Sequence, residues 1–336
     1  MRALICDEPG RLTVIERDVP KPAPGEVLVR IRRVGICGTD YHIFQGKHPF
    51  LEYPRVMGHE LSGTIADANG STTLKAGDDV YIVPYLSCGH CRACRRGVTN
   101  ACRNIAVLGV HRDGGMAEFL CVPEQNAVPI GTASLDEAAM IEFLAIGAHG
   151  VKRGDVAARD RVLVVGSGPI GMSAIIFAKA RGADVTVMDL REDRLAFTVD
   201  SLGADRALRA DADAEAEAGR LTDGEFYDVV IDATGNAGAM HRGFGLVGHG
   251  GRYVLLSVVR TEITFSDPEF HKRETTLLAS RNAQPDDFAE VIRQMQAGRV
   301  PSQALNTHRG ALAEAPALFP AWMKPEAGVI KAILEV

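Results

Sequence analysis

Hydrophobic and polar residues alternate through much of the first 35 positions, as in Leu12–Thr13–Val14–Ile15 and Val27–Leu28–Val29–Arg30–Ile31. A period of two sends successive side chains to opposite faces of a strand, so short, half-buried strands are predicted here. Pro20, Pro22, Pro24 and Gly25 punctuate them. The texture returns at Leu61–Ala66, Asp79–Val83 and Ala117–Val122, with turn signals at Gly77–Asp78 and Gly114–Gly115. Together these predict an irregular antiparallel β domain.

Near residue 137 the pattern changes. Glu137–Gly150 (EAAMIEFLAIGAHG) is apolar at helical spacing, with Glu142 inside the run, a place where a Glu is ordinarily a partly exposed helix residue. From Arg161 apolar strands alternate with helices. RVLVV leads into a helix ending at Lys179 with Gly182 as its cap. Val185–Met188 then ends at Asp189, Tyr227–Ala233 ends in Thr234–Gly235, and Gly251–Val258 and Thr275–Ser280 follow. Strands that are almost wholly apolar are expected where helices cover both faces of a parallel sheet. An amphipathic helix, Pro285–Gln296, and short strands including Val329–Val336 complete the chain. The fold class is therefore α/β, a β-rich domain joined to a doubly wound parallel sheet.

A length of 336 residues suits two domains. Hydrophobic content of 46% and charged content of 24% are ordinary for a soluble enzyme. The net charge of −6 supplies no basic excess to neutralise phosphates, which argues against a nucleic-acid partner. No run of about 18 apolar residues exists to span a membrane. The N-terminal stretch has an acidic residue at Asp7 and no apolar core, so no secretory signal is expected and a cytoplasmic address is the default. Seven cysteines fit that compartment if most hold metal.

The densest chemistry lies in CGTDYHIFQGKHPFLEYPRVMGHE, which packs Cys37, Thr39, Asp40, His42, His59 and Glu60 into 24 residues. Thiolate and imidazole are good ligands for zinc, and a nearby acid can complete or exchange with the shell. Thr39 and His42 are the polar pair expected where a proton must leave a metal-activated hydroxyl. A buried Cys and two satisfied His in a glycine-rich loop explain each residue singly. The joint pattern favours the metal, because packing gives a loop no reason to gather so many ligands.

A second metal signal is Cys88-x2-Cys91-x2-Cys94-x7-Cys102. Four thiolates satisfy zinc completely and leave no open position, so a site here is structural; the competing reading is a redox or disulfide cluster, which reducing conditions disfavour. Cys6 and Cys121 are left as small apolar residues. The third signal is Gly166-Ser167-Gly168-Pro169-Ile170-Gly171, which leaves a strand, opens a helix and precedes Asp189 by 18 residues. That context makes it a dinucleotide fingerprint rather than a strand-to-helix turn without ligand. Gly166 permits the turn, Gly168 admits the pyrophosphate, Gly171 allows close packing, and the helix N-terminus faces the phosphates. Asp189 is placed to bind the adenosine ribose and repel the phosphate of NADP, with Arg191 and Arg194 just beyond to soften that repulsion.

GICGTDxH followed by GHE, the four-Cys lobe and the fingerprint together closely resemble the zinc-dependent medium-chain alcohol and polyol dehydrogenases, nearly end to end. The resemblance implies a GroES-like catalytic domain at 1–145, an NAD-binding Rossmann domain at 146–276 and a return to the catalytic domain at 277–336. It implies catalytic zinc on Cys37, His59 and Glu142, with Glu142 matching the Glu branch although Phe143 follows where Pro is frequent. Asp40 then holds His59 from behind, Thr39 and His42 form the proton relay, and Glu60 stays near the metal and can enter its shell. It further implies two zinc ions per chain, NAD, and a homodimer or homotetramer. Thr234 falls among the residues expected at the cofactor.

The implied reaction oxidises a secondary alcohol between the domains, with zinc polarising the hydroxyl and hydride passing to the nicotinamide. GVHRDGG (Gly109–Gly115), SRNA (Ser280–Ala283) and GKHPF (Gly46–Phe50) are similar to the sugar-acid branch, the L-gulonate and L-galactonate type. There Arg281 would contact substrate hydroxyls or a carboxylate and Asn282 a hydroxyl. A general polyol or threonine-type dehydrogenase, a zinc-free quinone reductase of the same fold, and a non-catalytic zinc- and nucleotide-binding regulator are the competing readings.

Overall fold

The computed structural model describes residues 1–48 and 51–336, so Pro49 and Phe50 of the GKHPF segment lie outside the described residues. Two compact units result, Met1–Glu142 with Ser302–Val336, and Phe143–Pro301. In the first unit the alternating N-terminal stretches form β1 (Arg2–Glu8), β2 (Arg11–Glu16) and β3 (Glu26–Ile36), and α1 (Gly38–Phe44) follows directly. Next come β4 (Arg55–Val56), β5 (Glu60–Asp67), β6 (Asp79–Ile82) and β7 (Tyr85–Leu86). Helix α2 (Arg92–Arg95), β8 (Ala106–Val107), β9 (Phe119–Pro123), β10 (Ala127–Pro129) and α3 (Leu135–Ala138) complete this part, and α4 (Ile141–Arg153) leaves it.

The second unit alternates strands and helices: β11 (Arg161–Val165), α5 (Pro169–Ala180), β12 (Asp184–Asp189), α6 (Glu192–Leu202), β13 (Arg206–Arg209), α7 (Ala214–Leu221) and β14 (Tyr227–Asp232). Helix α8 (Ala237–Gly243), β15 (Val247–Leu255), α9 (Asp267–Lys272), β16 (Thr276–Ala279) and α10 (Pro285–Gln296) finish it. The chain then returns to the first unit as α11 (Ser302–Leu305), β17 (Asn306–Ala311), α12 (Ala315–Trp322) and β18 (Lys331–Glu335).

The main sheet of the first unit runs β10-β6-β5-β3-β18-β17, with β9 also on β3. Inward positions of β3, Val27, Val29, Ile31 and Val34, share one buried core with Met57, Leu61 and Met116 and with Phe319 and Trp322 of α12. The C-terminal return is thus part of this core, and Phe319 stacks edge-on against Tyr41 of α1 with ring centres 5.5 Å apart. The six-stranded sheet of the second unit has the order β13-β12-β11-β14-β15-β16, parallel throughout. Its order reverses between β11 and β14, the place where such sheets bind ligands beyond their strand C-termini.

Several boundaries differ from the sequence reading: the strand expected over Gly251–Val258 is β15, which starts at Val247 and ends at Leu255, and three further differences have a local cause. The helix expected over 137–150 is two helices, because Ser134 and Glu137 cap each other reciprocally and start α3 early. The strand expected from Ala117 begins at Phe119, since Ala117 makes only an isolated bridge to Ala3. The return to the first unit falls at Ser302 rather than 277, because β16 pairs with β15 and keeps residues 277–301 in the second unit.

Candidate metal centres and cofactor site

β3 ends at Ile36 and Cys37 caps α1, while His59 and Glu60 lie where β5 begins, opposite the end of β3. This register brings ligand atoms of Cys37, His59 and Glu60 within 4.8 Å of one another. Asp40, at the third position of α1, is fully buried and fixes the two loops to each other. Its Oδ2 accepts the Cys37 N–H at 2.9 Å and its Oδ1 the Gly58 N–H at 3.3 Å. His59 Nδ1 lies 3.8 Å from Asp40 Oδ1 and has no hydrogen-bond partner of its own. Thr39 and His42, three residues apart on α1, share a helix face, with Thr39 half-buried and His42 exposed.

Glu142 is buried in the first turn of α4, and its Oε1 accepts a short hydrogen bond from Tyr85. Burial pushes its carboxyl up, partly offset by the charge of His59. The structure therefore places Glu142 beside the Cys37–His59–Glu60 group, while the tight three-residue set contains Glu60. Glu60 has a partner of its own: Lys331, at the start of β18, holds both its oxygens at 2.7 Å. Burial alone would push His59 down, yet Asp40, Cys37 and Glu142 hold its imidazole well above its ordinary value. A donor set this anionic, with sulfur, nitrogen and oxygen atoms converging, suits a divalent cation in place of that proton.

The four-Cys lobe is equally compact. Sγ of Cys88, Cys91, Cys94 and Cys102 lie within 4.8 Å of one another, with Cys91–Cys94 at 3.5 Å and Cys91–Cys102 at 4.0 Å. Tetrahedral zinc with 2.3 Å bonds sets sulfurs about 3.8 Å apart, which these spacings match. The Cys94 and Arg103 N–H groups hold the Cys91 thiol down at about 6, the state a metal needs. All seven cysteines are free thiols.

In the second unit Gly166 follows β11 at a φ of +92°, and Gly168 caps α5 with Pro169 and Ile170 in its first turn. A side chain at Gly171 would overlap the Gly166 carbonyl, which is the close strand–helix approach that position requires. A Cβ at Gly168 meets nothing within 4 Å, leaving open space before the helix N-terminus where a pyrophosphate fits. Asp189, at the end of β12, accepts the Ser167 N–H at 2.6 Å and the Arg191 N–H at 2.9 Å. Arg191 pairs with Asp193 at 2.5 Å, and Arg194 is buried in α6. Thr234, after β14, donates to Asp232 through N–H and hydroxyl at 2.9 and 2.7 Å. Arg281 is exposed and Asn282 takes a left-handed φ of +53° in the turn between β16 and α10.

Tyr85 and Lys331 are absent from the sequence reading. Lys331 left a trace, a lone cation in the apolar run VIKAIL, whereas nothing local marks Tyr85.

Comparison with known proteins adds the following. The alcohol dehydrogenase GroES-like domain matches residues 23–132, and the zinc-binding dehydrogenase model matches 169–297. The chain is 44% identical to the L-galactonate-5-dehydrogenase of Escherichia coli K12, over 92% of this chain and 91% of that one. It is 34% identical to the D-altritol 5-dehydrogenase of Agrobacterium fabrum, over 84% of each. Among solved structures, the alcohol dehydrogenase rspB of Escherichia coli CFT073 complexed with NADH superposes with a TM-score of 0.94. That pair is 31% identical, over 100% of this chain and 99% of the other.

Proposed function

Because the chain belongs to the family of zinc-dependent alcohol dehydrogenases, we propose that it oxidises a secondary hydroxyl of a sugar acid to a ketone. It is an oxidoreductase that carries zinc and uses NAD. The observation that carries the reading is the convergence of Cys37, His59 and Glu60, with Glu142 beside them, on one buried anionic point. Cys37, His59 and Glu142 hold the catalytic metal, and Cys88, Cys91, Cys94 and Cys102 hold a structural one. Bound there, zinc supplies Lewis acidity that lowers the pKa of the substrate hydroxyl, and bound NAD takes up the hydride.

The residues of the chain do the rest. Asp40 fixes the ligand loops through the Cys37 and Gly58 N–H groups. Thr39 accepts the hydroxyl proton in a hydrogen bond, and His42, exposed one turn further along the same helix face, delivers it to solvent. Asp189 and the N-terminus of α5 hold the dinucleotide.

The substrate class rests on two supports. A relative 44% identical acts, by its name, on L-galactonate. Arg281 offers a planar, permanently charged fork suited to a carboxylate, and Asn282 an amide for a hydroxyl. A charge-assisted hydrogen bond of that kind contributes about 1.5–3 kcal/mol, roughly ten- to a hundredfold in selectivity. The 34% identical D-altritol relative favours a neutral polyol as the second reading. Steady-state kinetics on a sugar acid and its matching polyol decide between them. We expect kcat/KM to favour the acid and Arg281→Ala to remove most of that preference. Equal losses on both substrates would return the chain to the polyol class. The same reading makes the protein a cytosolic homo-oligomer, in keeping with its free thiols and with the exposed Thr276 and Leu277 of edge strand β16.

A further inference from the structure

The parallel sheet of the second unit has an end that the cofactor does not use. The glycine fingerprint follows the C-terminus of β11, whereas β11, β12, β13 and β14 begin at the opposite edge with Arg161, Asp184, Arg206 and Tyr227. These four residues line a cavity of about 180 Å3, together with Thr186 and the loop between α7 and β14. At about 30 Å3 per water it has room for about six waters, or for a small ion in their place. β11 is five residues long, so its two ends stand about 13 Å apart and no residue of the fingerprint takes part.

Two donors in this cavity are uncommitted. Arg161 is half-buried and gives Nη1 to the Thr222 carbonyl at 3.1 Å, and among the described residues no carboxylate pairs with its guanidinium. Asp184, its partner in register, gives its carboxylate to Arg206 instead. Tyr227 is 1% exposed, and its hydroxyl lies close to Thr186 without a hydrogen bond of good geometry to any group. Burial pushes this phenol up, so it stays protonated and able to donate. Asp223 stands at the rim, exposed, where solvent screens its charge. The rim loop is already fixed, because the Thr222 hydroxyl donates to the Ala218 carbonyl at 2.8 Å and accepts the Phe226 N–H at 3.0 Å.

A buried donor without an acceptor is costly, and a guanidinium without an anion leaves most of its fork unused. One group with two or more charged oxygens answers both needs. A cation would be repelled by Arg161 and Arg206, and an apolar ligand would leave the Tyr227 hydroxyl unpaired. We propose that this cavity is a binding site for a small oxyanion, a phosphate or carboxylate group, held by Arg161, Tyr227 and Thr186.

The test is calorimetric titration of inorganic phosphate, and separately of malonate, into zinc-loaded protein saturated with NAD, so that the fingerprint is already filled. At least one of the two should bind with a Kd of about 1 mM or tighter. Tyr227→Phe should weaken that binding about tenfold and Arg161→Gln about a hundredfold, while both keep the wild-type affinity for NAD. Tyr227→Phe removes only an oxygen without a partner, so it tests the site even where Arg161→Gln fails to fold. Tighter binding of phosphate identifies a phosphate-bearing ligand, and tighter binding of malonate a carboxylate. Binding of either anion that is undiminished in Tyr227→Phe would place it elsewhere on the protein and overturn the proposal. So would the absence of any binding by wild type up to about 20 mM of each anion.

Discussion

Replacing Cys94 by Ser should loosen one lobe and leave the rest of the protein folded. Between Ser87 and Ala101 no residue with an apolar side chain is buried, and helix α2 has only four residues. A helix that short does not stand by itself in water, so little besides a metal on the four thiolates would hold this segment. Structural zinc contributes about 10–16 kcal/mol to folding, shared here by four thiolates. Losing one ligand should cost about 3 kcal/mol of that, and at 1.4 kcal/mol per tenfold the open population rises on the order of 100-fold. Arg92, Arg95, Arg96 and Arg103 are all exposed, so the opened lobe presents four sites to trypsin. Cleavage that is slow relative to reclosing follows the open population, and its rate in this segment should rise by about the same factor. Cys37→Ser serves as control: it should abolish turnover and lower the zinc content while the lobe stays as resistant as in wild type. A Cys94→Ser protein cleaved within about threefold of the wild-type rate would refute the reasoning. The lobe would then be held by its packing.

Cofactor choice follows from Asp189, whose carboxylate is fixed by the Ser167 and Arg191 N–H groups while Asp193 engages the Arg191 guanidinium. A second phosphate beside it is repelled, so kcat/KM should favour NAD over NADP by at least about tenfold, and a preference for NADP would sink the assignment. In the second unit, burial opposes ionisation of Asp287, but the His149 ring at 2.7 Å, the Gln284 N–H at 2.8 Å and Lys152 at 3.3 Å hold its carboxyl below the usual range. Its stabilisation is complete above the unfolded value near ~3.9 and is lost as pH falls through the folded one. Asp287→Asn should therefore cost about 1.5–3 kcal/mol at pH 7 by urea denaturation, a difference that shrinks in acid. A difference that does not change with pH would show that the pair contributes by shape alone.

What the sequence discloses is what it keeps close together. Cys37, Asp40, His59 and Glu60 sit within 24 residues, and Cys88 to Cys102 within 15, so their joint chemistry is visible before any fold is known. The glycines at 166, 168 and 171 are legible for the same reason, since a strand-to-helix turn is a local event. Boundaries were less legible where a cap competed with periodicity, as at Ser134, or where pairing decided membership, as for β16. Tyr85 and Lys331 escaped because their partners lie 57 and 271 residues away.

That distance has a structural consequence for the centre itself. All the candidate ligands with a sequence signature lie in the first 142 residues, yet β18 is the strand that covers β3 from Arg33 to Ile36, immediately before Cys37. Without it those four residues lack their ladder on that side, and Glu60 lacks the only cation seen against both its oxygens among the described residues. The return of the chain after the second unit therefore does more than finish a sheet: it braces the strand that leads into Cys37 and supplies the buried cation that neutralises Glu60.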